Sequence, residues 1–193
     1  MNEAEFLRRQ LAAERQALAD AARRTRTALS REARRLEPGA APATSEAFLG
    51  ACAAYLLFGI ARAAARDAAH LERLRRRCGR TPQGARAGSP APESASLTAR
   101  LEEIVRAAEG HRAALEQAWK AACADRRVFD LFKDKLSTCA IFISEILFSC
   151  DPQIEASAER HYTIEDWRAV ASANADSILE ERRLRTAALG AQP

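Results

Sequence analysis

Leu7, Leu11, Leu18, Ala22, Leu29 and Leu36 recur at intervals of four and seven, with Arg8, Arg15, Arg23, Arg26 and Arg34 on the opposite side. This spacing predicts an amphipathic helix A over 3–36. LEPGAAPATSEA, 36–47, breaks it: Pro38 and Gly39 stop the helix, and Thr44 or Ser45 can cap the next one. Helix B is predicted over 46–78, with a stripe of Leu49, Cys52, Leu56, Ile60, Ala64, Asp67, Leu71 and Leu74. Its many alanines allow neighbouring helices to come close, and Gly79 suits the residue just past its end.

The next segment, GRTPQGARAGSPAPESAS (79–96), is nearly free of large apolar residues and reads as a flexible linker inside the fold. Helix C is predicted over 96–124 with Ser96 as its N-cap, and its stripe runs through Leu97, Leu101, Ile104, Ala108, His111, Leu115 and Trp119. After a tight joint near Asp125, helix D is predicted to run to 149. Its centre, CAIFISEILF, is apolar on every side except at Ser144 and Glu145. Such a helix is either the most enclosed of the fold or one whose outer face meets a partner, which makes Ile141, Phe142, Glu145 and Phe148 a candidate interaction face. DPQIEASAER reads as a connector, and helix E as one piece from about Thr163 to Ala188.

The expected fold is therefore all-α: an up-and-down antiparallel bundle of four to five long helices, one domain over residues 1–193. The start of helix E is locally specified. Thr163 and Asp166 have capping-box spacing, Tyr162 and Trp167 stand at the staple positions, and Glu165 and Asp166 occupy the first turn, where the helix dipole favours acid. His161 falls before that helix.

Composition adds little. The net charge is +4, but almost all the base is Arg, with Lys only at 120, 133 and 135, and an Arg- and Ala-rich chain is what GC-rich bacterial coding gives. The basic balance is thus weak support for nucleic acid, although Arg73, Arg75, Arg76, Arg77 and Arg80 form a cluster that would bind it with steep salt dependence. Five cysteines without a CxxC pair argue against a disulfide framework and a ribbon-type zinc site. No signal peptide is recognised, and no apolar run reaches the ~18 residues of a membrane span, so a cytoplasmic protein is expected.

Chemistry rests on polar residues that lie on apolar stripes, where burial is costly unless they are paired. With helix ends aligned and ~1.5 Å of rise per residue, Glu14, Asp67, His70, His111, Cys139 and Asn174 all fall roughly 12–21 Å above the base. A single transition metal on Asp67, His70, His111 and Cys139 is one reading of this layer. The other is a buried polar layer, with Glu14, Arg62, Asn174 and Glu181 as members, that fixes helix register. HYTIED has a His-to-Asp interval found in hemerythrin-like di-iron bundles, a distant architectural parallel shared with ferritin-like proteins. The HxxxE and HxxxH pairs of such centres are missing, because the chain has only His70, His111 and His161. With no phosphate loop or nucleophile elbow, the leading expectation is a non-enzymatic bundle that works through protein contacts with a partner or a second copy.

Overall fold

A computed structural model describes residues 2–33, 46–78, 92–173 and 177–190, and every element among these described residues is helical. The long helices are α1 (Glu3–Ala33), α2 (Glu46–Cys78) and α3 (Pro92–Ala124). A 3₁₀ turn (Arg126–Val128) leads into α4 (Phe129–Phe142), which continues as a π-turn (Ile143–Leu147). Then come α5 (Asp151–His161), α6 (Ile164–Ser172) and α7 (Ile178–Gly190).

Helices A and B are found where the periodicity puts them, although residues 34–36 at the end of A lie outside the described residues. α1 opens with the Asn2 side chain accepting from Glu5 N–H at 2.8 Å. The predicted linker is shorter than its composition suggested: 79–91 lies outside the described residues, while 92–96 belongs to α3, so Ser96 sits inside the helix and is not its cap. Pro92 as first residue explains the earlier start, because proline gives up no helical hydrogen bond there.

Two further expectations are corrected. The segment read as a connector is helix α5, with Pro152 in its first turn and His161 as its last residue. Helix E is not continuous, being divided into α6 and α7 around residues 174–176, which lie outside the described residues. Helix D likewise departs from α geometry at Ile143. There the Ser144 hydroxyl donates to the Ile141 carbonyl (3.2 Å), and Arg26 reaches both Ser144 and Glu145 from outside. Side-chain hydrogen bonds of this kind compete with the regular backbone ladder.

α2 touches each of the other six helices, α3 most extensively. This explains why it is so apolar. By length and composition it could even cross a membrane, contrary to the expectation that no segment would, yet 67% of its most apolar window is buried by its own chain. Two glycines allow the close contacts. A methyl group at Gly59 would overlap Leu18 of α1, and one at Gly50 would stand 2.8 Å from the Trp119 ring of α3. Trp119 in turn packs on Phe132 (centroids 4.8 Å apart), which carries the core into α4. Leu49, Leu56, Ile60, Leu101, Leu115, Leu136 and Ile143 are fully enclosed in this core. A smaller cluster of Leu11, Ala158, Trp167 and Val170 joins α1, α5 and α6.

Candidate functional site

Most of the polar residues singled out by sequence fall in three places. The first lies between α1 and α2. The Glu14 carboxylate accepts from Arg62 at 3.0 Å and also from Arg66, whose side chains are only 7% and 5% exposed. Burial lowers the basicity of Arg66, partly offset by Glu14. The Arg66 Nε is buried without a hydrogen-bond partner. These groups line a narrow cleft, with Tyr55, Gly59 and Glu181 also on its walls. The Tyr55 hydroxyl donates to Glu181 at 3.4 Å, and its own ionisation is pushed up to about 12, mainly by burial. Glu14, Arg62 and Glu181 are thus brought together, whereas Asn174 lies outside the described residues.

The second place is one α1 residue further on. Arg15 is shared by two carboxylates: its Nη1 is 3.0 Å from Asp151, the first residue of α5, and its Nη2 is 3.5 Å from Asp67. Its guanidinium also lies 6.0 Å from the centre of the Phe148 ring. Burial pushes the Asp67 carboxyl up to about 7, against the pull of Arg15, and pushes Asp151 up to about 6.

The third is an aromatic nest around His70. The Tyr162 hydroxyl donates its one proton to the His70 backbone carbonyl at 3.1 Å. With that proton used, the contact between His70 Nδ1 and the same oxygen, 3.2 Å, fits a donation from Nδ1–H. Trp167 packs edge-on at 6.0 Å. Burial drives the His70 pKa down to about 3. The predicted capping box closes the nest: Thr163 N–H donates to Asp166 at 2.9 Å, and Tyr162 and Trp167 meet at 5.4 Å. Arg77, at 2.7 Å, and Arg73, at 3.6 Å, pair with the same Asp166.

The four residues weighed as metal ligands therefore have separate surroundings. Asp67 faces Arg15, and His70 is bonded to Tyr162. His111 stacks on Phe142 at 4.4 Å, beside a shallow groove with Lys135 and Thr138. Cys139 is enclosed in the core, where burial raises its thiol to about 12. Among the described residues no three His, Cys, Asp or Glu side chains converge as a metal site would require. Cys52, Cys123, Cys139 and Cys150 are free.

The candidate interaction face is also divided. Phe142 is buried under His111, and Phe148 is half-buried over the core. Glu145 pairs with Arg26 at 2.6 Å. Ile141 remains outside, joined by Ile146 and Leu131, which the sequence reading had not named. Of the arginine cluster, Arg75 pairs with Glu102, Arg76 with Glu72, and Arg73 and Arg77 with Asp166, while Arg80 lies outside the described residues.

Sequence reasoning missed Arg15, Asp151 and Tyr162 as members of the polar layer. Asp151-Pro152 was the available signal, since an acid and a proline together mark a helix start. No protein-family model, no curated protein and no solved structure matches this chain.

Proposed function

We propose that this chain is a cytoplasmic, non-enzymatic helical-bundle module that works through protein contacts, and that its contact surface is the outer face of α4 and the π-turn. The observation that carries this reading is the π-turn in the most apolar segment of the chain. It leaves Ile146 (47% exposed) beside Ile141 (38%) outside, while Ile143 and Leu147 stay in the core. Single π-turns interrupt the regular helical ladder and occur frequently at functional positions. Leu131 is a further exposed apolar residue of α4, and Asp134 and Lys135 place both signs of charge between it and Ile141. A face with both signs can pair with its own copy about a two-fold axis, so a second copy of the chain is the occupant we assign.

The scaffold behind this face is read as an up-and-down bundle of α1 to α4. The supporting pairings are Leu18 with Gly59, Arg75 with Glu102, Trp119 with Phe132, and Arg26 with Glu145. Taken with Gly50 against Trp119 and His111 against Phe142, they favour opposite directions for helices that are neighbours in the chain. Light scattering over a range of concentrations tests the contact. Self-association of the wild-type chain that is lost in Ile141→Ser/Ile146→Ser supports it. A wild-type protein that stays monomeric throughout the range overturns it.

A second reading is a small-ligand-binding bundle, favoured by the cleft beside Glu14, Arg62, Arg66 and Tyr55 and by the partnerless Arg66 Nε in its wall. Elemental analysis of untagged protein and thermal-shift screening against small anions and divalent metals separate it from the first.

A further inference from the structure

We infer that the Arg15–Asp67–Asp151 cluster is a pH-sensitive joint: one guanidinium shared by two carboxylates clamps the start of α5 against α1 and α2, and loss of a proton from the pair loosens that clamp.

The pairing of charges between α1, α2 and α5 is uneven. Glu14 stands between two guanidiniums, Arg62 and Arg66, and Arg15 stands between two carboxylates, Asp67 and Asp151. Because Arg62 and Arg66 are engaged by Glu14, Arg15 is the cation that must balance both aspartates. The Asp67 and Asp151 side chains are only 3% and 23% exposed, so water screens their mutual repulsion poorly. Two carboxylates in such a setting do not both ionise without cost, and one keeps its proton to higher pH than a solvated acid would.

The other groups that bear on the cluster do not replace the missing cation. Arg66 draws the Asp67 carboxyl down, though less than Arg15 does. Glu155 of α5 acts on Asp151 as a further negative charge. The Cys150 thiol, the residue before Asp151, is itself raised by burial. His70, three residues beyond Asp67, is held neutral by its nest and contributes no positive charge near neutral pH.

The direction of the response follows. With the joint closed, Asp67 and Asp151 titrate at about 7 and about 6. Opening hydrates them and returns them to the ordinary range near 4. Closing therefore takes up protons between about pH 4 and about pH 7, and each rise in pH through that window favours the open joint. Asp151 stands four residues beyond Leu147, the last residue of the π-turn, so opening would shift the segment that carries Ile146. To that extent the consequence, though not the joint itself, rests on the contact-face reading above.

The test is backbone hydrogen–deuterium exchange on the full chain, at a concentration where light scattering shows a monomer, corrected for the intrinsic pH dependence of exchange. Protection of residues 143–155 relative to the middle of α3 is expected to fall roughly ten-fold or more between about pH 6 and about pH 8.5 in the wild type. Asp67→Asn, which cannot ionise, is expected to hold its protection over the same interval, and Asp151→Asn serves if the first variant does not fold. Unchanged wild-type protection, or an equal fall in the folded variant, overturns the inference. Because exchange is read in the monomer, the joint can fail while self-association stands, and the reverse.

Discussion

The Asp166 carboxylate lies 2.7 Å from the Arg77 guanidinium at the end of α2 while it accepts the Thr163 N–H that opens α6. One side chain thus caps one helix and pairs with the last turn of another, which fixes the α6 start against the α2 end. Asp166→Ala removes both contacts and the longer ion pair to Arg73. Arg77 is 39% exposed, so its ion pair contributes little, and the cap dominates. A loss of about 1–2 kcal/mol is expected from the shift of the urea midpoint. Asp166→Asn is expected to retain part of it, because the amide oxygen can still accept from Thr163.

Gly59 faces Leu18 with no room for a methyl group. Gly59→Ala is expected to destabilise by about 1–3 kcal/mol through overpacking. The check is a double-mutant cycle with Leu18→Ala. Removing the leucine branch should make the second change cheaper, with a coupling of roughly 0.5 kcal/mol or more. Strict additivity would mean that the backbones, not these side chains, set the α1–α2 distance.

Among the described residues, Glu14 is the carboxylate that pairs with both Arg62 and Arg66. Glu14→Gln leaves two buried guanidiniums without a counter-charge and is expected to cost about 3–5 kcal/mol of unfolding free energy. The combined Glu14→Leu, Arg62→Met, Arg66→Met variant is expected to be far closer to wild type. If that apolar variant folds but loses a ligand seen in thermal-shift screening, the cleft is a binding site as well as a structural layer.

His70 opposes the aspartates in its effect on stability. Its ordinary value of 6.5 is lowered to about 3 by burial in the Tyr162–Trp167 nest. Below 6.5 the unfolded chain therefore takes up a proton that the folded one refuses, and stability falls as the pH drops toward 3. His70→Gln, neutral throughout and still able to donate toward Tyr162, is expected to flatten this acid limb. Thermal melts of both proteins between about pH 4 and about pH 7 provide the comparison. Parallel melting curves would show that His70 does not carry the limb.

The long helices were legible because their stripes repeat over many turns, as from Leu7 to Leu29 and from Leu49 to Leu74. The Thr163–Asp166 cap was legible because it is a local pattern of a few residues. The starts of α3 and α5 were misjudged because the segments that hold Pro92 and Pro152 read as a linker and a connector, whereas each proline stands in a first helical turn. The π-turn left no trace in the spacing, since the inward sequence Leu136, Cys139, Ile143, Leu147, Cys150 keeps regular threes and fours. The polar layer was found in outline through Glu14, Arg62 and Asp67. Its pairing was not, because that depends on how each helix is rotated about its axis, which equal rise per residue does not fix. His111 shows this: at the right height and on the right stripe, it turns to Phe142 and away from Asp67 and His70.

Every other helix rests on α2, so a fragment that lacks it loses the largest part of the main core. The two tryptophans stand near the two ends of this helix, Trp119 against Gly50 and Trp167 against His70. Their fluorescence is therefore expected to report a single cooperative transition in a denaturant titration, with both indoles gaining water at the same concentration.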